Sequence, residues 1–138
     1  MDPTVPDVKS QRRILLVVWF GFVWALAIYG IVMTVIRPQP SDAGIFRFVL
    51  LATGGLTAAA AVYLRVVLIG GLLSKATPLS AAEWNRLRTL YILCFALSEG
   101  VALYGLVLYF MAGTLSEAWP FFAAGFLLLL ICFPRLPA

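Results

Sequence analysis

Charge is scarce in this sequence and histidine is absent. Lysine, arginine, aspartate and glutamate make up 12% of the 138 residues, whereas a soluble domain carries about 25%. Without histidine, no imidazole can act as a general base or as a metal ligand. The two cysteines, Cys94 and Cys132, lie in apolar runs and form no C-x-x-C motif, so we interpret them as small buried apolar side chains. A charge-rich soluble domain and a histidine metal site are therefore excluded.

Hydrophobic residues are abundant instead, at 63% of the chain with a mean hydropathy of +1.02. This composition indicates an integral membrane protein. We predict an all-α fold, a four-helix transmembrane bundle of two antiparallel helical hairpins, with residues 1–138 as a single integral membrane domain. The expected spans are about 14–36, 45–73, 88–111 and 119–134, the last of them short.

Local signals mark the ends of the predicted helices. The residues RPQP stop the first span, because proline cannot continue a helix, and Ser41 or Asp42 is the expected N-cap of the second. Two capping-box patterns, Ser80–Glu83 and Thr114–Glu117, precede the third and fourth spans. We therefore expect the third helix to begin at Ala81 and interpret both glutamates as helix caps.

The distribution of basic residues predicts the orientation of the chain. One side of the predicted bundle carries most of the lysines and arginines: Lys9, Arg12, Arg13, Lys75, Arg86, Arg88 and Arg135. The opposite side carries only Arg37 and Arg47. Because basic residues concentrate on the cytoplasmic side of a membrane, we expect both termini and the middle loop to be cytoplasmic.

One carboxylic acid, Glu99, lies in the middle of the third apolar run. The stretch 88–109 reads RTLYILCFALSEGVALYGLVLY. Since roughly 20 apolar residues at ~1.5 Å each cross the hydrocarbon core of a bilayer, we expect Glu99 near the midplane. An ionisable side chain at that depth is a functional-site hypothesis by default.

A shift of the sequence by 75 positions aligns the first span with the third. Tyr29-Gly30 then falls on Tyr104-Gly105, and Trp24 falls on Glu99. A duplicated helix pair, with the acid only in the second copy, would produce this pattern. Apolar helices also match one another by chance, so both explanations stay open.

The residues around Glu99 resemble a known family. The run from Glu99 to Val107, EGVALYGLV, is similar to the acid-bearing helix of the c subunit, or proteolipid, of rotary F-type and V-type ATP synthases. Arg88 stands where that family has an arginine near its cytoplasmic loop. The resemblance covers residues 45–111, and the first and fourth spans have no counterpart in a two-helix c subunit. It implies that Glu99 binds a proton and that the chain works as a homo-oligomer.

On this functional interpretation Glu99 keeps its proton at rest, because apolar surroundings disfavour the carboxylate. Transient water or a nearby positive charge would let it release the proton. The expected supporting residues are Ser98, Tyr104, Thr53, Thr57 and Arg65. The first four could hydrogen-bond the acid, and Arg65 is the nearest candidate positive charge in the sequence. Alternatively, Glu99 is a protonated packing element that joins two helices through hydrogen bonds.

Two functions therefore remain open. The chain is either a proton-carrying membrane protein that forms a homo-oligomer, or an accessory or scaffold subunit of a larger membrane complex in which Glu99 is structural. We do not expect an enzyme, since no second acid or nucleophile accompanies Glu99. No cofactor, metal or nucleic acid is expected, and membrane lipid is the expected environment. We expect the bacterial inner (plasma) membrane as the location.

Overall fold

The computed structural model describes residues 8–39, 43–74 and 79–135, and within these ranges the chain is helical and contains no strand. The helices are α1 (Val8–Val35), α2 (Gly44–Tyr63), α3 (Gly70–Leu73), α4 (Ala81–Ala112) and α5 (Leu115–Ile131). A π-helical segment, Leu64–Ile69, connects α2 to α3, so that Gly44–Leu73 forms one continuous rod. The described residues thus form four helical rods, in agreement with the prediction of four helices.

Three of these rods are long and apolar enough to cross a membrane: Lys9–Val35, Gly44–Leu73 and Ala81–Ala112. The fourth, α5, is apolar but has only 17 residues. The predicted N-cap of the second rod, Ser41 or Asp42, lies outside the described residues. The helix itself begins at Gly44, after Ala43, whose side chain makes no capping bond.

Successive rods run in alternating directions. The α1 and α4 helices are parallel, since Phe22 packs on Phe95 and the carbonyl of Met33 accepts a hydrogen bond from Tyr109. The α2 helix runs antiparallel to α4, since Ala61, late in α2, lies close to Cys94, whereas Gly54, earlier in α2, lies close to Tyr104, later in α4. This up–down–up–down order agrees with the prediction of two antiparallel hairpins.

The central helix is α4, which packs against α1, α2 and α5. Its buried side chains include Tyr91 and Phe95, both fully enclosed. It begins at Ala81, where Ser80 and Glu83 form the predicted capping box with reciprocal side-chain to backbone bonds. It ends at Gly113, whose φ of 70° is a left-handed conformation that glycine adopts without strain. The predicted start of this helix at Ala81 is confirmed.

The second predicted capping box is wrong. Thr114 is the N-cap of α5, but its side chain makes no capping hydrogen bond. Glu117 instead forms an ion pair with Arg47 of α2, at 3.2 Å between Nη1 and Oε1. Arg47 thus binds the carboxylate that the capping box would have directed to a backbone amide. The spacing of residues along α5 gives no indication of this partner on another helix.

Two glycines allow α5 to approach α4 closely. A Cβ atom on Gly105 would lie 2.7 Å from Phe121 Cβ, and one on Gly125 would lie 2.8 Å from the carbonyl oxygen of Ser98. Real side-chain atoms do not approach so closely. The hairpin of α4 and α5 is therefore the most tightly packed part of the chain.

Candidate functional site

The Glu99 carboxylate lies between α4 and α1. The hydroxyl of Tyr29, on α1, donates a hydrogen bond to Glu99 Oε1 at 2.5 Å. Both side chains are half-buried. Glu99 precedes the end of α4 at Ala112 by 13 positions, or about 20 Å along the helix axis. The acid is thus far from the nearer end of its helix and faces a neighbouring helix.

The side chain that hydrogen-bonds this carboxyl group, Tyr29, is not a cation. Within the described ranges, Glu99 forms no ion pair with lysine or arginine. The Arg47 guanidinium is paired with Glu117. This ion pair lies near the end of α4 at Ala112. Tyr29 is neutral, and a hydroxyl can either donate to a carboxylate or accept from a protonated carboxyl group. This one partner can therefore hydrogen-bond either protonation state of Glu99.

The hydroxyls predicted to support Glu99 bond elsewhere. Ser98 donates to the carbonyl of Cys94 at 2.7 Å, and Thr57 donates to the carbonyl of Thr53 at 2.7 Å. Thr53 itself donates to the carbonyl of Val49 at 2.8 Å. Each of these bonds reaches back one turn along the residue's own helix, a common way to satisfy a hydroxyl in apolar surroundings.

The aromatic residue predicted to support the acid, Tyr104, faces a different helix. Its ring lies near Gly54 of α2, where a Cβ atom on the glycine would be 3.6 Å from Tyr104 Cδ2. The Phe121 ring of α5 lies closer still, at 2.8 Å from the same Cβ position, so Gly54 makes room for both rings. Tyr104 packs in that contact, and the hydroxyl bonded to Glu99 is that of Tyr29.

Arg65, the predicted positive partner, lies near the other end of the bundle. It belongs to the π-helical segment, and its Nε donates to the carbonyl of Ile131 at 3.0 Å. Its guanidinium carbon is 5.9 Å from the centre of the Tyr91 ring. Arg65 thus caps the C-terminal end of α5, where a cation is favourable.

Sequence reasoning did not assign a site role to Tyr29. The 75-residue alignment did place Tyr29 on Tyr104, which marked both tyrosines as related positions. Which of the two reaches the acid depends on the rotation of α1 about its axis, and a helix that is apolar on every face contains no signal for that rotation.

The interpretation of the cysteines as unpaired apolar side chains is wrong. Cys94 and Cys132 form a disulfide that joins α4 to the residue after α5. Both have an exposed fraction of 0%. Their separation of 38 positions follows no recognised motif, so that only the three-dimensional fold brings them together.

The comparisons with known proteins add no relative, since no family model, no curated protein and no solved structure matches this chain. Among the residues that the structure describes, no group of three or more cysteine, aspartate or glutamate side chains could hold a metal ion. The class that the fold and site define is an all-helical chain with three helices long enough to cross a bilayer, and with one acid between two of them.

Proposed function

We propose that this chain is an integral membrane protein with four transmembrane helices in which Glu99 binds and releases a proton. It works as a homo-oligomer or as a subunit of a larger membrane complex. The observation that carries the proposal is the bond from the neutral hydroxyl of Tyr29 to a half-buried carboxyl group in the apolar middle of α4. A permanent ion pair would have made proton exchange costly, and none is found for Glu99 in the described ranges.

The resemblance to the c subunit supports the same function from the sequence. The spacing that resembles the family is the run from Glu99 through Tyr104-Gly105, which lies in the second half of α4. In the structure Glu99 points to α1, a helix that a two-helix c subunit lacks. Proton exchange at Glu99 would therefore require α1 to move slightly, or water to enter between α1 and α4.

The second candidate function is that of an accessory or scaffold subunit in which Glu99 only joins helices. It is favoured by two further polar contacts that hold α1. Trp19 Nε1 donates to the carbonyl of Leu129 at 2.9 Å, and the Tyr109 hydroxyl donates to the carbonyl of Met33 at 2.7 Å. With these neighbours, the Tyr29–Glu99 bond resembles one member of a set of structural links.

Labelling with a hydrophobic carbodiimide tests whether Glu99 is protonated and reachable from lipid, as the proton-carrying function requires. Such a reagent modifies a carboxyl group that is protonated and reachable from lipid. We expect modification at Glu99 in membranes at neutral pH, loss of modification in Glu99→Gln, and unchanged modification in Glu117→Gln. Modification that maps to another acid, or that persists in Glu99→Gln, would overturn the proposal.

Measurements of proton flux and oligomer size separate the proton-carrying function from the structural one. Reconstituted wild-type protein should conduct protons, alone or with its complex, and Glu99→Gln should not. In mild detergent a proton-carrying homo-oligomer should elute as many copies of one chain. If Glu99→Gln conducts like wild type but unfolds more easily, by about 1 kcal/mol as for other polar contacts between membrane helices, the structural role is the correct one.

A further inference from the structure

We propose that α2 and α5 form a binding site for a phospholipid whose headgroup carries both a phosphate and a primary ammonium group. The proposal rests on the membrane location proposed above, but it concerns a different part of the chain from Glu99. It combines an ion pair at the mouth of a cavity with an apolar groove that continues from it.

The head of the site is a cavity of about 360 Å³ that contains the ion pair of Arg47 and Glu117. Both side chains are accessible from outside, with exposed fractions of 52% and 24%. Arginine has five N–H donors and a carboxylate has two oxygens, so a single contact of 3.2 Å leaves groups on both for a ligand. Ser116 adds a hydroxyl to the same wall.

The tail of the site is an adjoining apolar groove of about 220 Å³. The two cavities share Leu51, Pro120 and Phe121 in their walls, and therefore meet. The groove then follows α2 past Gly54 and Gly55. A Cβ atom on Gly55 would have no other atom within 4 Å, so this part of the helix surface is open. An acyl chain fits an open apolar path that starts beside a charged mouth.

Charge complementarity selects the headgroup. Arg47 suits a phosphate, which guanidinium groups bind through two parallel hydrogen bonds. The first turn of α5 also favours an anion, because its amide groups are not capped by Thr114. Glu117 suits an ammonium group that can donate hydrogen bonds, which a quaternary ammonium cannot do. A phospholipid with an ethanolamine headgroup satisfies both charges, whereas choline and glycerol headgroups satisfy one.

The test is native mass spectrometry of the detergent-purified full chain, delipidated and then mixed with one lipid at a time. We expect phosphatidylethanolamine to bind about fivefold more tightly than phosphatidylcholine or phosphatidylglycerol, the effect of one partly exposed charge contact. Glu117→Gln should remove this preference while the phosphate contact remains. Arg47→Gln should weaken binding of all three lipids.

A matched pair of glycine variants separates the groove from general effects on folding. Gly55→Leu places an apolar side chain in the groove, with its Cβ atom clear of other atoms, and should abolish binding of all three lipids. Gly21→Leu places the same side chain on α1, where a Cβ atom also meets nothing within 4 Å, and should bind like wild type. Both variants should keep the wild-type melting temperature.

Two results would overturn the lipid site. One is equal affinity of the wild type for the ethanolamine and choline lipids, and the other is wild-type binding by Gly55→Leu. Recovery of the wild type from the membrane fraction is scored separately. If the chain is found outside membranes, the proposed function fails with the lipid site; if it is found in membranes without the lipid preference, only the lipid site fails.

Discussion

The helices α4 and α1 are both long and apolar, yet they are held in the bundle in different ways. In their most apolar stretches 44% of residues are buried in α4, against 11% in α1. The α4 helix is joined to α5 by close contacts at Gly105 and Gly125 and by a disulfide. The α1 helix buries few side chains, and an apolar cleft of about 520 Å³ lies between its middle part and that of α5.

This difference places the candidate site at the loosely held edge of the bundle. Glu99 belongs to the well-packed helix α4, but its partner Tyr29 belongs to α1. Hydrogen bonds rather than extensive apolar packing fix α1 at that point, and such bonds between membrane helices contribute only about 1 kcal/mol each. If Glu99 exchanges a proton as proposed, we expect a small movement of α1 to expose the acid while α4 and α5 stay packed together.

The largest expected effect comes from removing the disulfide in the well-packed region. We expect Cys94→Ala combined with Cys132→Ala to lower the free energy of unfolding by about 3 kcal/mol, since the bond closes a loop that spans 38 positions. Thermal unfolding in detergent measures this loss. Reduction of the wild type should cause a similar loss, whereas a wild type that reacts with maleimide when unfolded without reductant would show that the disulfide is absent.

A smaller effect is expected from a single methyl group on a glycine. Gly125→Ala forces a Cβ atom to within 2.8 Å of the Ser98 carbonyl, and should cost about 2 kcal/mol of stability, as overpacking does in other cores. Gly30→Ala adds the same group to α1, where nothing lies within 4 Å. Comparable melting temperatures for the two variants would mean that the two regions do not differ in packing.

The smallest expected effect is the loss of one hydrogen bond that holds α1. The Tyr109 hydroxyl is bonded to the carbonyls of Met33 at 2.7 Å and Ile36 at 2.9 Å. Tyr109→Phe should therefore lower the stability by about 1 kcal/mol and increase the exchange of α1 amide hydrogens. Tyr63→Phe is the control, because Tyr63 is exposed. Faster exchange in α5 instead of α1 would contradict this assignment.

Features of the fold that depend on neighbouring residues in the sequence could be predicted. The capping box at Ser80 and Glu83 defines the start of α4 through local backbone chemistry. Hydrophobic length alone indicated the four rods. By contrast, Glu117 follows the same capping pattern but pairs with Arg47, which is 70 positions earlier in the chain.

The partners in the candidate site could not be predicted for a similar reason. Glu99 was identified because a lone acid in an apolar run is conspicuous. Its bond to Tyr29 and the pairing of Cys94 with Cys132 depend on how the rods rotate and which faces meet. Apolar helices without a polar face carry little information about either.

The central proposal is that the carboxyl group of Glu99, between α1 and α4, binds a proton. Infrared spectroscopy of the protein reconstituted in lipid tests it directly, because a protonated carboxyl group absorbs apart from a carboxylate. We expect a protonated-carboxyl band at neutral pH that is absent in Glu99→Gln. In Tyr29→Phe, where the hydrogen bond to Glu99 is lost, this band should shift to a higher frequency. A spectrum in which the wild type and Glu99→Gln differ only in the carboxylate band would contradict it.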